Sequence, residues 1–145
     1  MSTYVKSFEL RWGDVDANQH VMHSKYYELG AHCRMSYLLD AGLSIPVMLE
    51  HNVSPILFRE SCTFRRELMA GEKVEVNLLL IRCRADASRW SVRHEIHKSD
   101  GTLSAIIEAD LAWMNPVTRK LVVPPPVISA VVESIPRSDD FELPD

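Results

Sequence analysis

Asp14, Asp16, His20 and His23 fall within ten residues, in the run Arg11-Trp12-Gly13-Asp14-Val15-Asp16-Ala17-Asn18-Gln19-His20-Val21-Met22-His23-Ser24-Lys25-Tyr26. A carboxylate can attack an acyl carbon or draw a proton from water. The first turn of a helix offers unpaired N–H groups and a positive dipole end, suited to holding an oxyanion. This run has both ingredients. Upstream, Phe8, Leu10 and Trp12 alternate with Ser7, Glu9 and Arg11, the period of a half-buried strand. Asp14 and Asp16 share the parity of Trp12, so an extended backbone past Gly13 would place both carboxylates at the core-facing lip. Downstream, Ser24 is suited to cap a helix running to Ala41, with Gly42 placed to end it. A carboxylate beside an oxyanion cradle points to acyl-transfer hydrolysis.

Each residue also has a plainer use. Asp is a default turn residue, so Asp16 can cap a loop, and Asp14 is better suited to bonding loop amides at the strand end. His20 can line a site or fix the loop through a ring N–H. His23 matters through its backbone N–H, and Tyr26 leads the buried stripe of the helix. A metal is not expected, because no further close-spaced His or Cys completes a set with Asp14, Asp16, His20 and His23. No G-x-S-x-G marks a serine nucleophile.

The elements that must hold these residues follow from periodicity. The helix carries Tyr26, Leu29, Gly30, Cys33 and Tyr37 on one stripe, with Tyr27, Met35, Leu38 and Leu39 on its other sides. A helix apolar nearly all round is usually enclosed. Gly30 in its interior suits close packing of another backbone. Pro46 and Pro55 bracket a connector of undefined shape. From Ile56 the period becomes two: Ile56–Glu67, then Val74–Leu80, Trp90–Ile96 and Leu103–Met114 read as strands, and Asp100-Gly101 as a hairpin turn. Arg119–Val123 resumes the last strand, and Val127, Ile128, Val131, Val132 and Ile135 have helical spacing. The layout is α+β: one long enclosed helix and an antiparallel sheet of about five strands, in a single domain over residues 1–137. Residues 138–145 read as a loose acidic tail. One sheet of this size leaves apolar helix surface bare, so a homodimer or homotetramer is expected.

Composition is that of a globular protein, 46% hydrophobic and 25% charged over 145 residues. The net charge of −4 gives no electrostatic case for long nucleic acid. Charge is uneven, however: residues 51–100 hold nine Lys/Arg against seven Asp/Glu, among them Arg59, Arg65, Arg66, Arg82, Arg84, Arg89 and Arg93. Such arginines can hold a small phosphorylated ligand or simply face solvent. Cys33, Cys62 and Cys83 are odd in number and far apart, which fits a reducing cytoplasm. The N-terminus lacks the apolar core of a signal peptide, and no apolar run approaches membrane-spanning length.

The run Asp14-Val15-Asp16, His20-Val21, Tyr26 and, eight residues on, Arg34 resembles the hotdog-fold acyl-CoA thioesterases of the 4-hydroxybenzoyl-CoA thioesterase type. Their pattern reads approximately D-x-D-x-x-G-H-V-N-N-x-x-Y. The resemblance continues through Leu68-Met69-Ala70-Gly71-Glu72, the Asp100-Gly101 hairpin and the last strand before Pro124. It implies a hotdog fold, Asp16 as the catalytic carboxylate, and the His23 backbone N–H as the donor to the thioester oxygen. It implies substrate contacts at His20, Val21, Met22, Ser24 and Tyr26, with the nucleotide over arginines such as Arg59, Arg82 and Arg84. Coenzyme A would be part of substrate and product, with no retained cofactor. Four departures stand out: Gln19 for the usual Gly, Met22 and His23 for the Asn pair, Ala31 for a helix acid, and Arg66 where relatives often have Pro. A Gly-like positive φ at residue 19 would leave that loop strained or rebuilt. A non-catalytic acyl-thioester-binding or scaffold protein on the same fold is the competing reading.

Overall fold

The computed structural model describes residues 3–143. Eight strands form one sheet: β1 (Val5–Glu9), β2 (Ser54–Phe64), β3 (Lys73–Asn77), β4 (Leu79–Cys83), β5 (Arg89–Lys98), β6 (Leu103–Asn115), β7 (Lys120–Leu121) and β8 (Arg137–Glu142). Among the described residues three α-helices accompany them: α1 (His23–Asp40), α2 (Ile45–Glu50) and α3 (Pro126–Ser134). Across the sheet, β1 pairs β3, β5 pairs both β3 and β4, β6 pairs β5, and β2 pairs β6. All these pairs are antiparallel. Short β7 continues beside β6, and β8 lies parallel to β4.

The predicted strand Val74–Leu80 is broken at Leu78. Asn77 causes the break: its side chain donates to Glu95 Oε1 (2.8 Å) and accepts the Glu95 N–H (2.6 Å), standing in for backbone partners. Its freed carbonyl accepts from His94 Nδ1 at 2.7 Å. Connector 44–53 also takes shape, because Ser44 caps α2 by accepting the Val47 N–H and Pro46 occupies its first turn.

The sheet curls round α1, which buries Tyr26, Gly30, Cys33, Arg34 and Leu38 against it. Tyr27, Leu29 and Met35 are half-buried and Leu39 is exposed, so part of the apolar helix lies bare in a single chain. Gly42, at φ +94°, ends the helix. Trp113, Ile107, Ile96, Val92 and Leu80 fill the centre of the core, where Trp90 stacks on Trp113. α3 closes one end through Ile128 and Val132.

Two expectations change here. The close approach at Gly30 comes from a side chain, not a backbone: a Cβ there would sit 3.0 Å from His94 Cδ2. The acidic segment is not loose as far as the described residues reach. Arg93 holds Asp140 through two hydrogen bonds (3.0 and 3.2 Å), Arg137 lies over Phe141, and Leu80 N–H donates to Pro136. Residues 144–145 of that predicted tail lie outside the described residues. Among the described residues no helix is long and apolar enough to cross a membrane.

Candidate active site

The chain leaves β1 through Leu10, whose backbone is bonded on both sides to the 71–72 turn (2.9 and 2.8 Å). It does not stay extended. Trp12–Asp14 forms a single 3-10 turn, closed by Asp14 N–H onto the Arg11 carbonyl and by the Arg11 N–H onto Asp14 Oδ2, both 2.9 Å. The turn breaks the strand parity, so Trp12 is 82% exposed instead of core-facing. The two carboxylates consequently part company.

Asp14 turns inward and is buried. Burial alone would raise its pKa, but the Arg11 N–H and guanidinium, together with the Lys25 ammonium at 3.7 Å, outweigh that and hold it below the ordinary value. Its carbonyl accepts the Met22 N–H at 2.8 Å. Asp14 thus ties the turn to the start of α1, the structural role its sequence position suggests.

Asp16 turns outward. Val15 and Val21 form an antiparallel bridge, and between them Asp16 N–H donates to the His20 carbonyl (3.0 Å) and Gln19 N–H to the Asp16 carbonyl (2.9 Å). One carboxylate oxygen accepts the Asn18 N–H at 2.8 Å, which orients the group while leaving the residue exposed. Gln19 has φ +66°, a left-handed backbone that favours glycine, so the loop carries the strain of a side chain there. The Val21 N–H onto the Leu68 carbonyl (2.8 Å) fixes the loop to the segment after β2. The bridge returns the chain so that Asp16 lies opposite His20, three residues before the first residue of α1.

That helix begins at His23, two residues earlier than the Ser24 cap predicts. Met22 is the N-cap and supplies no capping side-chain bond. Lys25 N–H closes onto the Met22 carbonyl at 2.9 Å, leaving the N–H groups of His23 and Ser24 without acceptors inside the helix. His20, His23 and Ser24 are exposed and Met22 is half-buried at the mouth. Val21 is core. So is Tyr26, which is 3% exposed and packs edge-on against Phe64 at 4.9 Å. Neither presents a free side chain at the loop. Among the described residues no group of three or more His, Cys, Asp and Glu is arranged to hold a metal ion.

Arg59, Arg82 and Arg84 are brought together, but elsewhere. With Phe58, Arg89 and Asp110 they line a cavity of about 430 Å³ at the far end of the sheet. Arg89 and Phe58 are additions to the predicted set. Arg89 lay in the same run of arginines, whereas Phe58 arrives through a strand bulge that periodicity does not reveal.

The sequence pattern of the thioesterase-like superfamily matches residues 10–132, from the end of β1 into α3. The chain belongs to this superfamily. Solved structures give the same architecture. A 1,4-dihydroxy-2-naphthoyl-CoA thioesterase from Synechocystis superposes with a TM-score of 0.81 at 18% identity, covering 92% of this chain and 97% of that one. A hypothetical protein from Staphylococcus aureus, crystallised in complex with CoA, gives 0.86 at 19% identity, with 99% and 90% covered. The Dynemicin thioesterase gives 0.81 at 19% identity, with 94% and 99% covered. The fold is the hotdog fold of these thioesterase-like proteins. No curated protein sequence matches the chain.

Proposed function

We propose that this chain hydrolyses acyl-CoA thioesters to free acid and coenzyme A, with CoA entering as substrate and leaving as product. The observation that carries the reading is an oriented, solvent-facing Asp16 on the tight loop that leads into a helix start whose N-cap residue supplies no capping side chain. A thioester needs little help with its leaving group, since a thiolate departs readily. It needs an aligned attack and a home for the developing negative oxygen. Asp16 supplies the first, as a nucleophile giving an acyl-aspartyl anhydride or as a general base for water. The His23 N–H, with that of Ser24, supplies the second, a contribution typically of about 3 kcal/mol. His20 and Met22 flank the thioester. Val21 and Tyr26 support the mouth from within.

The substrate site is completed by a second copy of the chain. β2 pairs only with β6, and its outer edge has no strand on it among the described residues. Leu57, Phe58 and Phe64 of this strand are exposed. An unpaired eleven-residue edge favours pairing with its own kind about a two-fold axis. Arg59, Arg82 and Arg84 then serve the phosphates of a substrate whose thioester lies on a neighbouring chain.

Support for this reading also comes from relatives of the same fold that are named as thioesterases acting on aromatic acyl-CoA thioesters. The test is a panel of aliphatic and aromatic acyl-CoA and acyl-carrier-protein thioesters, with free thiol followed over time. Catalytic thiol release from one acyl-CoA class is the expected result. Tight thioester binding without release across the panel would make the chain a binding protein instead.

A further inference from the structure

A chain of polar groups crosses the core from the end of β3 to β2. The Asn77 carbonyl can only accept, so His94 Nδ1, 2.7 Å away, carries the ring proton. Nε2 is then bare and accepts from Arg34 Nη1 at 3.3 Å. His94 is wholly buried and Arg34 is 6% exposed, so the guanidinium is held in place from behind. In front of it, Arg34 Nη2 stands 3.7 Å from Glu60 Oε2, within ion-pair range but beyond hydrogen-bond length. That carboxylate oxygen is buried and has no hydrogen-bond partner among the described residues. Alternation along β2 makes Glu60 an inward residue: it and Cys62 are half-buried, while Arg59, Ser61 and Thr63 are exposed. Replacing a buried ion pair by apolar side chains is commonly neutral or stabilising, so packing alone does not account for a Glu here.

The pair stands at the far end of a seam between α1 and β2. Near the helix start Tyr26 meets Phe64, with ring centres 4.9 Å apart, and further on Arg34 meets Glu60. Tyr26 to Arg34 is about 12 Å of helix and Phe64 to Glu60 about 13 Å of strand, so the two elements run side by side over this length. Gly30, between Tyr26 and Arg34 in the same helix row, presents no side chain, and the His94 ring packs against it. Tyr27, Ala31 and Cys62 are half-buried along the seam. Helical side chains lean back by roughly one turn towards the N-terminus, which puts the Arg34 guanidinium about 11 Å beyond the His23 N–H along the axis.

We propose that Glu60 and Arg34 are specificity-determining residues that receive a hydroxyl at the far end of an aliphatic acyl group, selecting thioesters of medium-chain hydroxy acids. The position of the thioester rests on the thioesterase reading; the chemistry of the far end rests on the pair. Glu60 Oε2 lacks a donor, and the guanidinium beside it offers N–H groups. A hydroxyl donates to the first and accepts from the second. A carboxylate has no proton to give Glu60 and is repelled by it, and an ammonium is repelled by Arg34. A hydroxyl on a single benzoyl ring falls short of the pair. An unbranched acyl chain lying between the Tyr26–Phe64 contact and Ala31 reaches it.

The test compares kcat/KM of the full-length chain for ω-hydroxydecanoyl-CoA, decanoyl-CoA and 4-hydroxybenzoyl-CoA. Wild type should favour the hydroxylated aliphatic thioester over the other two by about tenfold or more, because its absence leaves a buried polar group unmet. Glu60→Gln keeps an acceptor oxygen and should keep part of the preference. Glu60→Leu should turn it towards decanoyl-CoA, with folding followed by circular dichroism and Tm. Should the unpaired Arg34 unfold that variant, Arg34→Met/Glu60→Leu removes both charges and takes its place. Binding of the same three thioesters to the Asp16→Asn chain is measured calorimetrically, so that recognition is read without turnover. Equal kcat/KM for the two aliphatic thioesters in wild type overturns the proposal and leaves the thioesterase reading standing. An unchanged preference in the folded Leu variant, or a preference for the benzoyl thioester, overturns it as well. Tighter binding of the hydroxylated thioester by a chain that hydrolyses none of the three would leave the role of the pair standing and remove the thioesterase reading alone.

Discussion

Residues two apart in the sequence do opposite jobs in this site. Asp14 and Asp16 share parity, yet one is buried under Arg11 and Lys25 and the other is exposed on a tight loop. The cause is the 3-10 turn at Trp12–Asp14, which the alternating pattern before it conceals. Gln19 shows the reverse case, in which a residue with a side chain occupies a backbone conformation that favours glycine. The loop holds φ +66° because the Val15–Val21 bridge and the Asp16–His20 bond leave no other path. Gln19→Gly should therefore stabilise the chain by about 1 kcal/mol, the cost an L-residue bears in that region, and raise Tm by a few degrees. Gln19→Val should lower it, since a β-branched residue fits there worst. Differential scanning calorimetry of the two variants checks both signs.

At the scale of elements, most of the order was legible, because hydrophobic period and turn residues act locally. The long helix, strands β2, β5 and β6, the Asp100-Gly101 hairpin and α3 all lie where spacing predicts, within a few residues. What escaped depends on groups distant in sequence. Asn77 interrupts a strand through Glu95, and Ser24 does not cap α1 because Met22, tied to Asp14, starts it first. The pairing of β8 with β4 relies on Arg93, which bridges to Asp140. Gly30 belongs to the same class of long-range effect. Gly30→Ala gains about 1 kcal/mol of helix propensity but drives a methyl group into the His94 ring, and such overpacking costs about 1–3 kcal/mol. Net destabilisation is expected in urea titrations, against the trend for exposed helix glycines. His94 itself is wholly buried, with Nε2 at 3.3 Å from Arg34. Burial, above all, drives its pKa down to about 3 despite the Asn77 carbonyl, and Arg34 adds to the fall. The folded state keeps the ring neutral while the unfolded chain protonates near its ordinary value of about 6.5. Stability from this group is full above about 6.5 and is lost progressively as pH falls towards 3. Between pH 6.5 and 5, where carboxylates stay largely ionised, unfolding free energy should fall more steeply in wild type than in His94→Gln.

For the whole molecule, one side of α1 and the free edge of β2 both leave apolar side chains uncovered. Tyr27, Leu29 and Met35 lie half-buried on the helix, and Leu57, Phe58 and Phe64 are exposed on the edge strand. A lone chain would leave this apolar area in water together with a row of unpaired backbone groups. Light scattering at low micromolar concentration should report at least twice the 16.5 kDa mass of the chain. A stable, fully active monomer would remove the neighbouring chain from the substrate site. The candidate site was legible in part for the same reason as the fold. Its loop and helix start are continuous in sequence, whereas the arginine cavity draws on four strands, β2, β4, β5 and β6. The central claim is narrower than any assembly and rests on one carboxylate. It is tested by the turnover number of Asp16→Asn on the best acyl-CoA substrate, with folding verified by circular dichroism. Asp16 as nucleophile or base predicts a fall of about two to four orders of magnitude. Near-normal turnover by the folded Asp16→Asn chain would contradict it.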